Sequence, residues 1–593
     1  MPSITLQHIS TFRAWMQNHR LQAFIVPTTD PHASEYTPPY YASRQWLTGF
    51  SGSAGTAVIT IEDSALWTDS RYFLAAEQEL DGTGIQLMKE GIPGTPSIIQ
   101  WLKETLNKGD RVGFDAHVNS HRLAEQLSRE LSPFGIETCP CQDPFESLWT
   151  DRPSLPQQPI TIHPIDYAGE SSHSKLLRLR QLLKKHNASH ILVSALDDIA
   201  WLLNLRGNDV ECTPVFMAYC IIDEHTTLLC IDEQRLEPSV RQYLKQEGVS
   251  TVPYQEVTRI LSQIPADATI LLSENINEAI YSCLSAHILT GVSPIAAMKA
   301  IKNPTEIAGF RNAMERDGVA LVKFLRWLLP AVEKGGQTEI SVSRHLEQLR
   351  AAHPLYRGES FSSISAYKEH GAIVHYEATP ETDAPLQPQG LLLMDTGAHY
   401  ADGTTDITRT IALGEPTPHE KHIYTLVLKG HIALSRCRFP IGVSGTQLDM
   451  AARYAMWQEG LNYGHGTGHG VGSFLCVHEG PHQIRMNYIP APITPGIIVT
   501  DEPGLYLKGE FGVRIENMLL CVPSLETAFG SFASFEPLTL CPIDLRPVDM
   551  SLLTHEEKEW INHYHSNVFH RLSPLLEDPE DKKWLEKATA CIH

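Results

Sequence analysis

With 593 residues the chain is too long for one hydrophobic core, and 42% hydrophobic against 20% charged side chains is the balance of an ordinary globular protein. A formal charge of −22 gives a surface that repels nucleic acid and anionic membrane, so neither is an expected partner. No stretch approaches the roughly 18 consecutive apolar residues of a membrane span, MPSITLQHISTFRAWMQNHR lacks the basic start and apolar run of a secretory signal, and the eleven scattered cysteines suit reduced thiols in a cytoplasm.

Ile4, Leu6, Ile9, Phe12, Trp15 and Met16 recur at roughly helical spacing and predict an opening amphipathic helix. AFIVP reads as a short buried strand, followed by the turn-rich loop TTDPHASEY. WLTGFSGSAG leads into strands AVITI and SALWTD and the helix SRYFLAAEQEL; strand, helix, strand and helix follow as IQLMKE, PSIIQWLKETL, RVGFD and SHRLAEQLSREL. Cys139 and Cys141 are close, but no second Cys or His pair stands near them to complete a zinc site. The alternation predicts a small α/β domain over 1–152, followed by the proline-rich linker DRPSLPQQPITIHP.

A second α/β block, 153–301, restates that order with the helix HSKLLRLRQLLKKH, the strand HILVSA, the segment DDIAWLLNLRGND and the strands PVFMAYCIID and TTLLCID. Trp46-Leu47 followed by Gly49 and Gly52 parallels Trp201-Leu202 followed by Gly207. The shared residues are few, so a duplicated unit and two separate domains of one common order both account for them. The third block, 302–593, is helix, helix, strands, stated twice. Two long helical patterns precede strands around SISA, AIVHY, GLLLMD and TDITRTIAL; Pro416 and Pro418 then reset the chain for KHIYTLVLKGHIALSRC, GTQLDMAARYAMWQEG and further strands through Leu520. This predicts a pseudo-symmetric α+β domain whose central sheet brings strand ends of both halves to one cleft. Two charged amphipathic helices near 555–572 and 579–591 close the chain as a packing or dimer surface.

The chemistry concentrates between His375 and Glu516. Asp395 ends the apolar run LLLM, and Asp406 opens DITRTI eleven residues later, across a segment with the hairpin-forming Asp402-Gly403 pair. Such a hairpin sets Asp395 and Asp406 on one face, near enough to share a cation; alone, two aspartates beside a turn would more often be solvated. Asp402 belongs to the turn. In GVRIENMLL a period of two places Arg514 and Glu516 on one face among apolar neighbours, where a carboxylate is costly unless paired or bound to metal. Glu502 ends IIVTD just before Pro503-Gly504; a strand-end Glu is commonly a solvated cap, but beside a strand carrying Glu516 a ligand is the better account. His469 lies among Gly466, Gly468, Gly470 and Gly472, where backbone can approach closely. That segment fits no phosphate-binding glycine pattern. His370, His399, His419 and His482 are read as bystanders. Four carboxylates and one imidazole suit Mn, Co or Zn, and two such ions about 3.5–4 Å apart would hold a bridging hydroxide and polarise a carbonyl.

The order Asp, Asp, His, Glu, Glu resembles the pita-bread metallopeptidases. HGTGHGVGSF, VHEGP and DEPGLY, with His375 twenty residues before Asp395, are similar to aminopeptidase P (Xaa-Pro aminopeptidase). IVPTTDPHASEY, GFSGSAGTAVIT, WTDSRYF and ALDDIAWLLNLRG extend the resemblance to the long, three-domain cytosolic form: two creatinase-like α/β domains capping a pita-bread domain. The resemblance implies two divalent ions per subunit, Mn2+ first and Zn2+ or Co2+ as alternatives. Asp395 would bind one ion, Asp406 and Glu516 both, His469 and Glu502 the other. Glu502 would also carry a proton, the two duties being hard to separate. His375 and His478 would flank the scissile carbonyl and the proline. His465 would position substrate at the mouth, and Tyr506 and Arg514 would shape the proline pocket or hold the surrounding residues. Implied with this are peptide substrates with proline second, a cytoplasmic location and a homodimer. Prolidase (Xaa-Pro dipeptidase) uses the same ligands, a metal-free binding module of this fold would have broken them, and creatinase-like C–N hydrolysis would not need them.

Overall fold

The structure is a computed structural model that describes residues 2–593. The chain separates into two compact units, one comprising Met1–His163 with Glu170–Ile295, the other Pro164–Gly169 with Ala296–His593.

The first unit holds two six-stranded mixed sheets with one strand order. In the first the order is Gln86–Lys89, Ser64–Thr68, Thr56–Thr60, Ala23–Pro27, Arg111–Asp115, Glu137–Cys141. In the second it is Ser250–Val252, Thr227–Ile231, Ala218–Asp223, His190–Val193, Thr269–Ser273, His287–Gly291. In both, the three middle strands that follow one another in the chain pair antiparallel and the flanking strands join parallel. Trp46 and Trp201 both stand on the short helix that follows the central strand, Ser43–Thr48 and Leu196–Leu202. The left-handed turn after each helix falls on Gly49 in one sheet and Asn204 in the other, so Gly207 is not the counterpart of Gly49. The opening helix, Pro2–Asn18, buries Ile9, Phe12 and Met16, whereas Ile4 and Leu6 are 57% and 50% exposed. The inward row is therefore Thr5, Ile9, Phe12 and Met16, and the first two apolar residues of the expected stripe lie off it.

The second unit opens with the helix Pro304–Lys334, started by an Asn303–Glu306 capping box, and the helix Glu339–Ala351. The helices Pro418–Ser435 and Gly445–Trp457 begin its second half. Its strands do not form the single central sheet expected. Ile364–Tyr367, Leu391–Thr396 and Ile407–Ala412 make a three-stranded antiparallel sheet. Arg438–Pro440, Gly530–Pro537, Asn517–Thr527, Ile498–Asp501, Gly468–Gly470 and Glu479–Ile484, in that order, make a six-stranded one. GVRIENMLL is accordingly two strands, Phe511–Arg514 and Asn517–Thr527, broken at Ile515-Glu516. At the break the Glu516 N–H donates to the Thr408 carbonyl (3.1 Å), which ties the two sheets together.

AIVHY is not a strand either. Lys368–Ala372 is a 3-10 helix and Ile373–His375 turns, because Gly371 lies flat on Gly512: a Cβ on Gly512 would stand 1.7 Å from the Gly371 carbonyl oxygen. The final helices, His555–Leu572 and Pro579–Ala588, bury Ile561, Tyr564, Val568, Leu572 and Leu585 in a core shared with Phe310 and Met314, so their inner faces are packing surface.

Candidate metal centre

Asp395 lies on Leu391–Thr396, opposite Thr408 on the antiparallel neighbour, and Asp406 immediately precedes that neighbour. The two aspartates thus meet as the hairpin predicts, although the chain between them, Ala398–Tyr400 with Gly403–Thr404, joins Tyr356–Glu359 in a separate three-stranded sheet. Asp402 sits in its turn, buried and clasped by both Arg316 nitrogens at 2.7 and 2.6 Å. Glu502 follows the strand Ile498–Asp501, Glu516 fills the break, and His469 is the middle of Gly468–Gly470. A Cβ on Gly468 would lie 2.0 Å from the Thr500 carbonyl oxygen, and one on Gly470 2.4 Å from that of Glu479. Only glycine on either side lets the neighbouring strands close on His469.

Asp406, His469 and Glu516 offer ligand atoms that all lie within 4.8 Å of one another. His469 Nδ1 is 2.9 Å from the Gly470 carbonyl, which can only accept, so Nδ1 carries a proton. In the neutral ring the Nε2 lone pair then faces Glu502 Oε1 at 3.4 Å and Asp406 Oδ2 at 3.6 Å. Lone pair against carboxylate oxygens is repulsive unless a proton or a cation lies between them. Arg514 donates to Asp395 Oδ2 through Nη2 (2.6 Å) and Nε (3.1 Å), while Asp395 Oδ1 is buried without a hydrogen-bond partner among the described residues. Burial pushes the Asp406 and Glu516 carboxyls well above their ordinary range, and the neighbouring carboxylates push the same way. Burial also raises Glu502, to about 7, against the pull of Arg514. One guanidinium does not balance four crowded carboxylates. The donor set fits a pair of hard divalent cations.

The expected surrounding residues meet there in part. The His478 ring stands edge-on to His469 at 4.4 Å between centroids. His465 Nδ1 donates to the Gly466 carbonyl (2.7 Å), and its Nε2 is 2.8 Å from the Tyr506 hydroxyl, which accepts from Arg514 Nη1 at 2.7 Å. Arg514, Tyr506 and His465 are therefore one chain of hydrogen bonds ending on Asp395, and burial pushes the Tyr506 phenol up to about 12. His375 is half-buried in the turn after Val374, whose carbonyl is 3.4 Å from Arg514 Nη1. The four bystander histidines have other engagements: His370 with Glu339, His399 with Thr404, His419 with Glu510, and His482 with the Ile498 carbonyl.

Comparison with known proteins decides the family. A probable Xaa-Pro aminopeptidase P of Laccaria bicolor is 40% identical over 602 residues, 98% of this chain and 93% of its own. The chain belongs to the Xaa-Pro aminopeptidase P family. An Arabidopsis thaliana relative, aminopeptidase P2, is also 40% identical, over 95% of this chain and 85% of its own. A crystal structure of X-prolyl aminopeptidase from Caenorhabditis elegans, described as a cytosolic enzyme with a di-nuclear active site, superposes with a TM-score of 0.96 at 34% identity, covering 99% of this chain and all of that one. Residues 308–523 match metallopeptidase family M24 and 531–592 the C-terminal region of peptidase M24. Residues 8–148 and 151–306 each match a creatinase/prolidase N-terminal domain. The chain is thus a metallopeptidase with two creatinase-type α/β domains before a pita-bread domain.

Around the centre of this aminopeptidase P relative stand residues that sequence reasoning passed over. Thr408 Oγ1 donates to Glu516 Oε2 (2.8 Å) and Thr500 Oγ1 to Glu502 Oε1 (3.3 Å). Thr500 lies two residues before Glu502, so strand periodicity alone would have put it on the side of its carboxylate, whereas the same spacing relates Thr408 to Asp406 and gives no hint of Glu516. Glu479, next to His478, is held by the buried Lys302, with Lys299 at 3.9 Å. Nothing in the sequence near Glu479 points to partners so far away in the chain.

Proposed function

We propose that this chain is an aminopeptidase that hydrolyses the bond between an N-terminal residue and a following proline, using two divalent metal ions held by Asp395, Asp406, His469, Glu502 and Glu516. The observation that carries the reading is the buried carboxylate group facing His469 Nε2, in a chain that matches this family over nearly its full length. Mn2+ is the proposed metal, with Zn2+ or Co2+ as alternatives of the same ligand preference. When bound, the pair supplies Lewis acidity and an activated water.

The chain's own side chains do the rest. An Xaa-Pro bond has no amide N–H and its ring cannot lie as an ordinary strand, so recognition has to come from shape and from donors to the carbonyl. His375 and His478 flank the place where the carbonyl would sit, and an imidazole N–H there stabilises the oxyanion. Glu502, with a carboxyl that burial brings near neutrality, is placed to take up and pass on a proton. Tyr506, held by Arg514, gives the proline ring a rigid wall, and His465 is fixed beside it.

The proposed division is 1–152, 153–301 and 302–593. The proposed location is cytoplasmic. A homodimer is supported by an exposed apolar row on the helix Gly445–Trp457, where Met450 and Tyr454 are 54% and 55% exposed and Trp457 continues the line. One assay tests the activity. Metal-stripped protein is reloaded with Mn2+ and given an Xaa-Pro dipeptide and an Xaa-Pro-Xaa tripeptide. Release of the first residue from the tripeptide is expected; cleavage of the dipeptide alone would assign the chain as a prolidase.

A further inference from the structure

Asp501 and Asn517, the residues just before Glu502 and just after Glu516, face each other as the last register pair between their strands. Past this pair there is no ladder: one strand turns at Pro503, and the other is interrupted at Glu516. Both side chains are wholly buried, and His431, from the helix Pro418–Ser435 and equally buried, lies between them. Its Nδ1 is 3.1 Å from the Asp501 carbonyl and 3.2 Å from Asp501 Oδ2, and its Nε2 is 3.2 Å from Asn517 Nδ2. Ser435 Oγ, one turn along the helix, donates to Asp501 Oδ2 at 2.8 Å.

Arg409 fixes the direction of this chain of bonds. A guanidinium only donates, and Arg409 Nη2 gives its bond to Asn517 Oδ1 at 2.8 Å while Nη1 donates to the Glu516 carbonyl at 2.6 Å. With its oxygen so engaged, Asn517 turns its N–H groups to His431, whose Nε2 accepts. The ring proton therefore sits on Nδ1 and is donated to Asp501. None of these groups touches the reacting atoms. What they join are the main chains on which Glu502 and Glu516 are mounted, at the point where backbone pairing stops.

We infer that His431 is a positioning residue: by bridging Asp501 to Asn517 it sets the spacing of the Glu502 and Glu516 carboxylates, and with it the affinity for the divalent ions. The inference rests on the reading of those carboxylates as ligands. Its test is calorimetric titration of Mn2+ into the metal-stripped full chain, with the Tm of the metal-free protein as the control for folding. H431F keeps an aromatic ring, somewhat larger than imidazole, and loses both bonds; its Kd for Mn2+ is expected to rise about tenfold or more. H431Q restores one donor and one acceptor and is expected to recover most of the affinity. Wild-type affinity in H431F, or an H431Q protein no better than H431F, overturns the inference. Should H431F fail to fold, S435A removes a donor to Asp501 without bulk. Its Kd is expected to rise about threefold, and an unchanged value overturns the inference. A wild-type chain that takes up no Mn2+ would instead sink the reading of the centre itself.

Discussion

Arg514 does two things with one guanidinium: it neutralises Asp395 through two nitrogens, and it holds the Tyr506 hydroxyl with the third. Arg514→Met should therefore weaken Mn2+ binding about 10–100-fold and raise KM, measured by titration and by steady-state kinetics. His478 is a different kind of residue, its ring set edge-on to that of His469. His478→Ala is expected to lower kcat about 100-fold with both ions retained; loss of an ion by elemental analysis would make it a ligand. Acidity gives a third expectation. Burial raises Glu502 to about 7, so the stability it contributes is complete below the ordinary carboxylate range and is lost as pH rises through about 7. The Tm of metal-stripped protein should fall between about pH 5 and pH 8, and the Tm gained on adding Mn2+ should grow over the same interval, since the ions displace those protons. A gain independent of pH would remove Glu502 from the ligands. At this scale the carboxylates were legible because an ionisable group in an apolar strand is anomalous. Arg409 and His431 were not: Arg409 too stands in an apolar strand, but the partners that give both residues their role lie about 70–155 residues away.

The long helix Pro304–Lys334 positions the Asp395–Asp406 hairpin by contact rather than by chemistry. Gly309 packs against the turn between the aspartates so closely that a Cβ would stand 2.0 Å from the Asp402 carbonyl oxygen, and Arg316, two turns on, clasps the Asp402 carboxylate. Because the clash is with backbone, Gly309→Ala should cost about 1–3 kcal/mol, read as a lowered Tm; an unchanged Tm would mean that the hairpin gives way freely. Elements with strong periodicity and clear caps are the ones that composition and pattern reveal, as for this helix with its Asn303–Glu306 box. AIVHY and the break at Glu516 escaped because their local pattern is that of a strand. What overrides it is tertiary: Gly371 against Gly512 in the first, the carbonyl of Thr408 in the second.

For the molecule as a whole, the shared order of the two α/β sheets is far plainer in topology than in sequence, where only a Trp-Leu pair and scattered glycines hint at it. Strand order survives substitution because it depends on burial pattern and connection length, while the left-handed turn after the short helix can be Gly49 or Asn204 alike. Association belongs to this scale too. Tyr454→Glu would put a charge in the exposed apolar row, and if the proposed homodimer uses that row, sedimentation is expected to shift from dimer toward monomer with the fold intact; an unaltered dimer would move the interface elsewhere. The glycines beside His469 carry one last consequence. Neither takes part in any reaction, yet each excludes every side chain as firmly as the imidazole between them excludes replacement. A saturation scan of activity would therefore draw the site wider than its chemistry, marking Gly468 and Gly470 as intolerant for want of room alone.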